Sequence, residues 1–196
     1  GTGGSWPVST DRVSWAIGAW ELLKYLDGQE RILFRDRAYE AMKNTAERDR
    51  LIVFDPADGL YRGEQSFLDW REQTYPAFTA TDTAQIAMSK ALGTNVAHLA
   101  LLRALTVLAI EKGLDTEAFR YAEWKTQLEN AIASRFWLGE LQHMSSFIPG
   151  ELDGAPTRRF DLLSSALAIL HDVPSATQAE QMVESYPHLP QGAPVI

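Results

Sequence analysis

Between Thr94 and Lys112 the sequence offers a helix with almost no polar face. Val96, Leu99, Leu101, Leu102, Leu105, Val107, Leu108 and Ile110 leave scarcely a position for water. A helix apolar nearly all round must be covered by other elements on most of its sides, so it is an inner helix. Thr94 and Asn95 are N-cap residue types and Gly113 is a natural stop. Asp115 then opens a helix to about Trp137 whose apolar residues Phe119, Ala122, Leu128, Ala131, Ile132 and Phe136 fall on one face. An inner helix is thus followed, across a tight turn, by an outer one.

The same pairing recurs on both sides. Ser9, Thr10 and Asp11 offer N-caps to a helix running to about Asp27, with Val13, Ala16, Ile17, Trp20, Leu23 and Leu26 at helical spacing and Gly28 as its end. A charged helix follows from about Gln29 to Arg50, its single apolar face carrying Ile32, Leu33, Tyr39, Met42 and Ala46. Near the other end, Asp161 caps a helix to about His171, and Ser175 with Gln178 has the spacing of a capping box for the next. Leu138 to Phe160 is irregular, with strand-like pieces around Leu141 to Ile148, and Ala77 to Leu92 fits helix and loop equally. These elements predict an all-α fold of three helical hairpins. Stacked hairpins must bury their inner faces against neighbours, which favours a solenoid or a closed toroid with the long loops at one end, where inner helices begin.

Composition narrows the partners. Hydrophobic residues make up 45% of the 196 and charged residues 22%, enough for a substantial core. A net charge of -8 with no basic cluster disfavours both nucleic acid and an anionic membrane surface. The apolar run Val96 to Ile110 carries His98 and Arg103 and is shorter than a bilayer span. With no cysteine, thiolate metal sites and cysteine nucleophiles are excluded. His98, His143, His171 and His188 show no ligand spacing, so neither a metal nor a cofactor is expected. Periplasm and cytoplasm both remain open.

Chemistry concentrates between Asp58 and Pro76, in Asp58-Gly59-Leu60-Tyr61-Arg62-Gly63-Glu64-Gln65-Ser66-Phe67-Leu68-Asp69-Trp70-Arg71-Glu72-Gln73-Thr74-Tyr75-Pro76. Carboxylates, arginines and aromatic faces in one loop suit a site that grips a polyol by its apolar side and moves protons, so carbohydrate is the substrate class expected. The plainer reading pairs Asp69 and Glu72 with Arg62 or Arg71 in an ordered surface loop. Ser66 beside Asp69 lacks the Gly-x-Ser-x-Gly elbow and partner histidine of a hydrolase triad.

Ser66-Phe67-Leu68-Asp69-Trp70 resembles the Ser-Gly-x-Asp signature region of the six-hairpin, (α/α)6-toroid glycosidases, with Phe67 in place of the glycine. That group includes trehalases and processing α-glucosidases, and more distantly bacterial α-rhamnosidases. Trp6-Pro7 to Trp15, with Asp11-Arg12, looks like the loop-to-inner-helix entry that lines their sugar pocket. Leu92-Gly93-Thr94-Asn95 and Arg159-Phe160-Asp161 look like later inner-helix starts.

The resemblance implies an inverting glycoside hydrolase, in which one carboxyl group protonates the leaving oxygen and another activates water from a gap of about 6.5–9.5 Å. Asp69 takes the general-acid position, with Glu64 as its rival or as a ligand for sugar hydroxyls. Trp6 and Trp70 either stack on sugar faces or pack, and Asp11 binds a hydroxyl, caps its helix or does both. Arg62, Arg71, Glu72 and Asn95 complete the expected substrate contacts. Three hairpins of six imply a partial toroid whose partner is the remainder of its own catalytic domain, which would supply the base. An inverting phosphorylase, with phosphate in place of water and base, and a non-catalytic helical-repeat binding module are the competing functions.

Overall fold

The computed structural model describes residues 9–64, 81–150 and 154–194. Among these, the chain runs α1 (Asp11–Leu23), α2 (Gly28–Ile52), β1 (Phe54–Asp55), β2 (Leu60–Tyr61), α3 (Thr83–Met88), β3 (Lys90–Ala91), α4 (Leu92–Glu111), α5 (Asp115–Phe136), β4 (Trp137–Leu138), β5 (His143–Met144), β6 (Phe147–Ile148), α6 (Leu162–Leu170) and α7 (Ala176–Ser185). The fold is all-α, a partial helical toroid, and its strands are two-residue ladders in the connections.

Helix α4 is the centre, packed against α1, α2, α5 and α6. Leu92, Leu99, Leu101, Leu105 and Leu108 are fully buried, and each such side chain contributes about 1.5–3 kcal/mol by leaving water. Twenty residues long, α4 reaches by length and composition what a membrane span requires, beyond the shorter run expected from sequence, yet 72% of its apolar window is buried inside the fold. Its end follows the sequence signal: Gly113 sits at φ +70°, and Leu114 N–H donates to the Ala109 carbonyl at 2.9 Å, closing the turn into α5.

α1, α4 and α6 form the inner layer, α4 touching both of the others. α2 and α5 lie outside as the second arms of their hairpins. The buried side of α2 is Tyr39, Met42 and Ala46, whereas Ile32 and Leu33 near its start are exposed. Phe119 on α5 is likewise exposed at 68%, whereas Leu128, Ala131, Ile132 and Phe136 are buried as expected, with Tyr121 beside them. Trp15, Trp20, Trp124 and Trp137 pack against the core.

Some boundaries differ from the sequence expectation. α1 stops at Leu23, with Lys24 N–H bonded to the Glu21 carbonyl and Tyr25 N–H to that of Leu22; Gly28, expected as its end, opens α2 at φ +48°. α4 begins at Leu92, so Thr94 and Asn95 are not its caps but lie inside its first turn. Asp161 and Ser175 cap as expected: Asp161 accepts from Ser164 N–H, and Ser175 with Gln178 makes the full capping box.

The inner helices converge where they begin. Thr10 and Thr94 hydroxyls lie 3.3 Å apart, and a Cβ on Gly93 would stand 2.9 Å from Ser164 Oγ and 3.4 Å from Thr10 Oγ1. Gly93 is therefore the space through which α4 meets α1 and α6. One methyl displaces the Ser164 hydroxyl, which also bonds Asp161, so Gly93→Ala should cost about 1 kcal/mol. Gly93→Val adds branches on both sides and should lower unfolding free energy by about 1–3 kcal/mol. Denaturant midpoints of the three proteins would check this.

Candidate functional site

The connections between hairpins gather at the end of the bundle where the inner helices begin. β1 and β2 form a hairpin with Phe54 opposite Tyr61, and β3 pairs with β6 through Lys90 opposite Ile148 and Ala91 opposite Phe147. Leu92 N–H donates to the Ser146 carbonyl at 2.9 Å, which fixes the start of α4 to the strand region ahead of α6.

Glu64 belongs to this end. It is half-buried, and its carbonyl accepts the Thr94 hydroxyl at 3.1 Å. Gly63 N–H donates to the Ser89 carbonyl at 2.7 Å, while Ser89 Oγ returns a bond to the Gly63 carbonyl at 3.0 Å. Ser89 ends α3. The flanks of residues 65–80 are thus tied together beside the first turn of α4. Asp69, Trp70, Arg71, Glu72 and Trp6 lie outside the described residues.

The other expected site residues are spread by role. Asn95 is fully buried and holds the backbone: it accepts from Tyr61 N–H at 2.7 Å and donates to the carbonyls of Tyr61 at 3.0 Å and Ala91 at 2.9 Å. Arg62 donates to Asp55 at 2.9 Å, in a cluster where Lys90 bridges Asp55 at 2.9 Å and Asp58 at 2.6 Å. Burial alone would push the Asp55 carboxyl up, but bonds from Lys90 and the Ala57 N–H, with the charges of Lys90 and Arg62, hold it below the ordinary value. Asp11 is exposed on the first turn of α1, without a side-chain capping bond from Thr10 before it. Asn95, Arg62 and Glu64 therefore meet around Tyr61 and α4, and Asp11 stands at the start of the adjoining inner helix.

Beneath them is a buried ionic group the sequence did not reveal. Asp49, 1% exposed, accepts from Arg12 at 2.7 Å and faces His98 Nε2 at 3.2 Å. His98 Nδ1 lies 2.7 Å from the Thr94 carbonyl, and its ring stacks on Tyr61 with centroids 4.1 Å apart. Both ring nitrogens face oxygen acceptors. Burial pushes Asp49 up, and the bonds and charges of His98 and Arg12 outweigh it, leaving the carboxyl below its ordinary value.

At α6, Asp161 has the opposite shift: burial raises it, against the bonds from Ser164 and Leu163. It is 5% exposed and serves as the helix cap. His143, lowered by burial, stacks on Phe160 at 4.0 Å, and Tyr186 nearby is pushed up to about 12, chiefly by burial. A cavity of about 300 Å³ lies at the opposite end of the inner helices, lined by Trp20, Lys24, Arg103, Val107 and His171 among others. It is remote from the residues the sequence singled out.

The sequence matches no protein-family model and no curated protein. The fold is similar to that of the GH78 family rhamnosidase of Bacillus sp. GL1, with a TM-score of 0.64 and 18% identity over 87% of this chain. The chain spans 16% of that protein's length. The likeness is one of fold, and the structural neighbour is a glycosidase.

Because the Asp49 carboxyl is held below 3.8 in the folded protein, it contributes stability that is full above that value and is lost as pH falls through the folded value. Urea midpoints measured from neutral pH down into this acid range should fall steeply. In Asp49→Asn, less stable at neutral pH, the fall should be shallower. Parallel slopes would contradict the assignment.

Proposed function

We propose that this chain is part of the catalytic domain of an inverting glycoside hydrolase, with Asp69 as the general acid. The observation that carries the reading is the shared fold with a rhamnosidase over 87% of the chain. The Ser66 to Trp70 resemblance adds to it. So does the anchoring of Glu64 and Ser89 at the inner-helix starts, on either side of residues 65–80.

In the proposed reaction Asp69 gives its proton to the glycosidic oxygen as the bond to the anomeric carbon breaks. A second carboxylate takes a proton from water attacking the other face, across about 6.5–9.5 Å. We assign that base to the remainder of the catalytic domain, outside these 196 residues. Glu64, five residues before Asp69, binds sugar hydroxyls from the same wall of the pocket. Trp6 and Trp70 offer faces to the apolar side of the sugar, and Asp11, Arg71 and Glu72 supply polar contacts. Asn95 and Arg62 act from behind: one holds Tyr61 and the other is bound to Asp55. Asp69 must keep its proton near neutral pH, which burial beside Trp70 or a second carboxylate would favour.

The protein encoded by the full reading frame should release nitrophenol from a nitrophenyl glycoside, with α-rhamnosides the first to assay. On a methyl glycoside, whose leaving group needs the proton, Asp69→Asn should lower kcat by about 10²- to 10⁴-fold while sugar binding persists. Proton NMR of the first product should show the inverted anomer. Unchanged turnover of the methyl glycoside in Asp69→Asn would refute the acid assignment, and release that requires phosphate would make the enzyme a phosphorylase.

A further inference from the structure

Thr94, Asn95 and His98 stand on adjoining turns of α4 and all act on the segment just ahead of residues 65–80. Thr94 Oγ1 holds the Glu64 carbonyl at 3.1 Å. Asn95 holds both backbone groups of Tyr61. His98 stacks on the Tyr61 ring at 4.1 Å and is bonded to the Thr94 carbonyl at 2.7 Å, beside the hydroxyl that reaches Glu64. Its other nitrogen is fixed by Asp49 of α2, and Asp49 is fixed by Arg12 of α1. Side chains of α4 therefore hold the backbone at Tyr61 and Glu64, with α2 and α1 behind them.

A buried ionic group of this kind is a poor way to gain stability, because desolvating the charges costs about as much as their attraction returns, and apolar residues of the same volume often serve better. What such a group supplies is a single geometry. Here the geometry so fixed is the course of residues 61–64, at the point where the chain departs toward Asp69.

We propose that Thr94 and His98 are positioning residues for the acid step: with Arg12 and Asp49 behind them, they fix the backbone at Glu64 and the ring of Tyr61, from which the chain leads to Asp69. This rests on the glycosidase reading for its catalytic half and on the contacts above for its structural half. Small displacements of a proton donor are expensive, since transfer requires heavy-atom approach within about 2.6–3.2 Å.

The two halves have separate readouts in the full-length protein. Thr94→Val removes the hydroxyl with little change in shape, Thr94→Ser keeps it, and His98→Phe keeps a ring to stack while losing both bonds. For the structural half, amide exchange of residues 61–64 should quicken by about two- to tenfold in Thr94→Val and in His98→Phe, and return to the wild-type rate in Thr94→Ser. Unchanged exchange in Thr94→Val overturns the clamp, whether or not the protein turns over glycosides.

For the catalytic half, a displaced acid penalises a substrate whose leaving group needs the proton. Thr94→Val should therefore lose more kcat on a methyl glycoside than on a glycoside of an acidic phenol, at similar KM, with Thr94→Ser restoring both. Equal losses on the two substrates, with exchange altered, would give Thr94 a structural role alone and overturn positioning. No turnover of any glycoside by the wild type would remove the glycosidase reading, and the catalytic half with it.

Discussion

Everything in this fold depends on one helix having almost no surface to give to water. α4 is covered by α1, α2, α5 and α6, and a helix in that position fixes its neighbours' directions as well as their contacts. The inner helices come together at Thr10, Gly93 and Ser164, where a missing side chain allows the approach. Packing at the centre thereby sets the geometry of one end of the bundle.

That end carries the polar investment. Asp55, Asp58, Arg62 and Lys90 form an ionic cluster on the connections, and Arg12, Asp49 and His98 form a more deeply buried one against the start of α4. The two clusters flank Tyr61, whose ring lies 5.3 Å from that of Phe54 on one side and 4.1 Å from His98 on the other. A segment held so firmly from behind is a suitable base for a loop that must present chemical groups in a fixed place. The glycosidase proposal and the positioning proposal use that property in turn: the first needs a fixed acid, and the second names what fixes it.

Much of the architecture was legible because helical hairpins write themselves locally. Val96 to Ile110 is apolar nearly all round, the α5 face recurs at helical spacing, and Gly113, Asp161 and Ser175 mark ends by chemistry acting within a few residues. The start of α4 was misplaced because Thr94 and Asn95 look like caps, whereas their side chains are taken up by Glu64 and Tyr61, about thirty residues away. The two-residue strands carry no period to detect. Ile32, Leu33 and Phe119 were expected on buried faces because spacing reports a face and not whether a neighbour covers it. For the site, the loop composition pointed to carbohydrate chemistry, but Asn95, expected against substrate, is buried on the backbone of Tyr61 and Ala91, and Arg62 is bound to Asp55. The Arg12–Asp49–His98 group joins three helices across 37 and 49 residues of sequence, a separation no local pattern encodes.

The central claim is that the starts of the inner helices support a sugar site whose proton donor is Asp69. The most direct measurement is a crystal structure of the full-length protein with a basic iminosugar that mimics the charge of the reacting sugar. The account predicts the sugar ring above Thr10, Gly93 and Ser164, with an Asp69 carboxylate oxygen about 3 Å from the atom standing for the glycosidic oxygen. An iminosugar seated instead at the opposite end, against Trp20, Arg103 and His171, or an Asp69 carboxylate turned away from the ring, would contradict it.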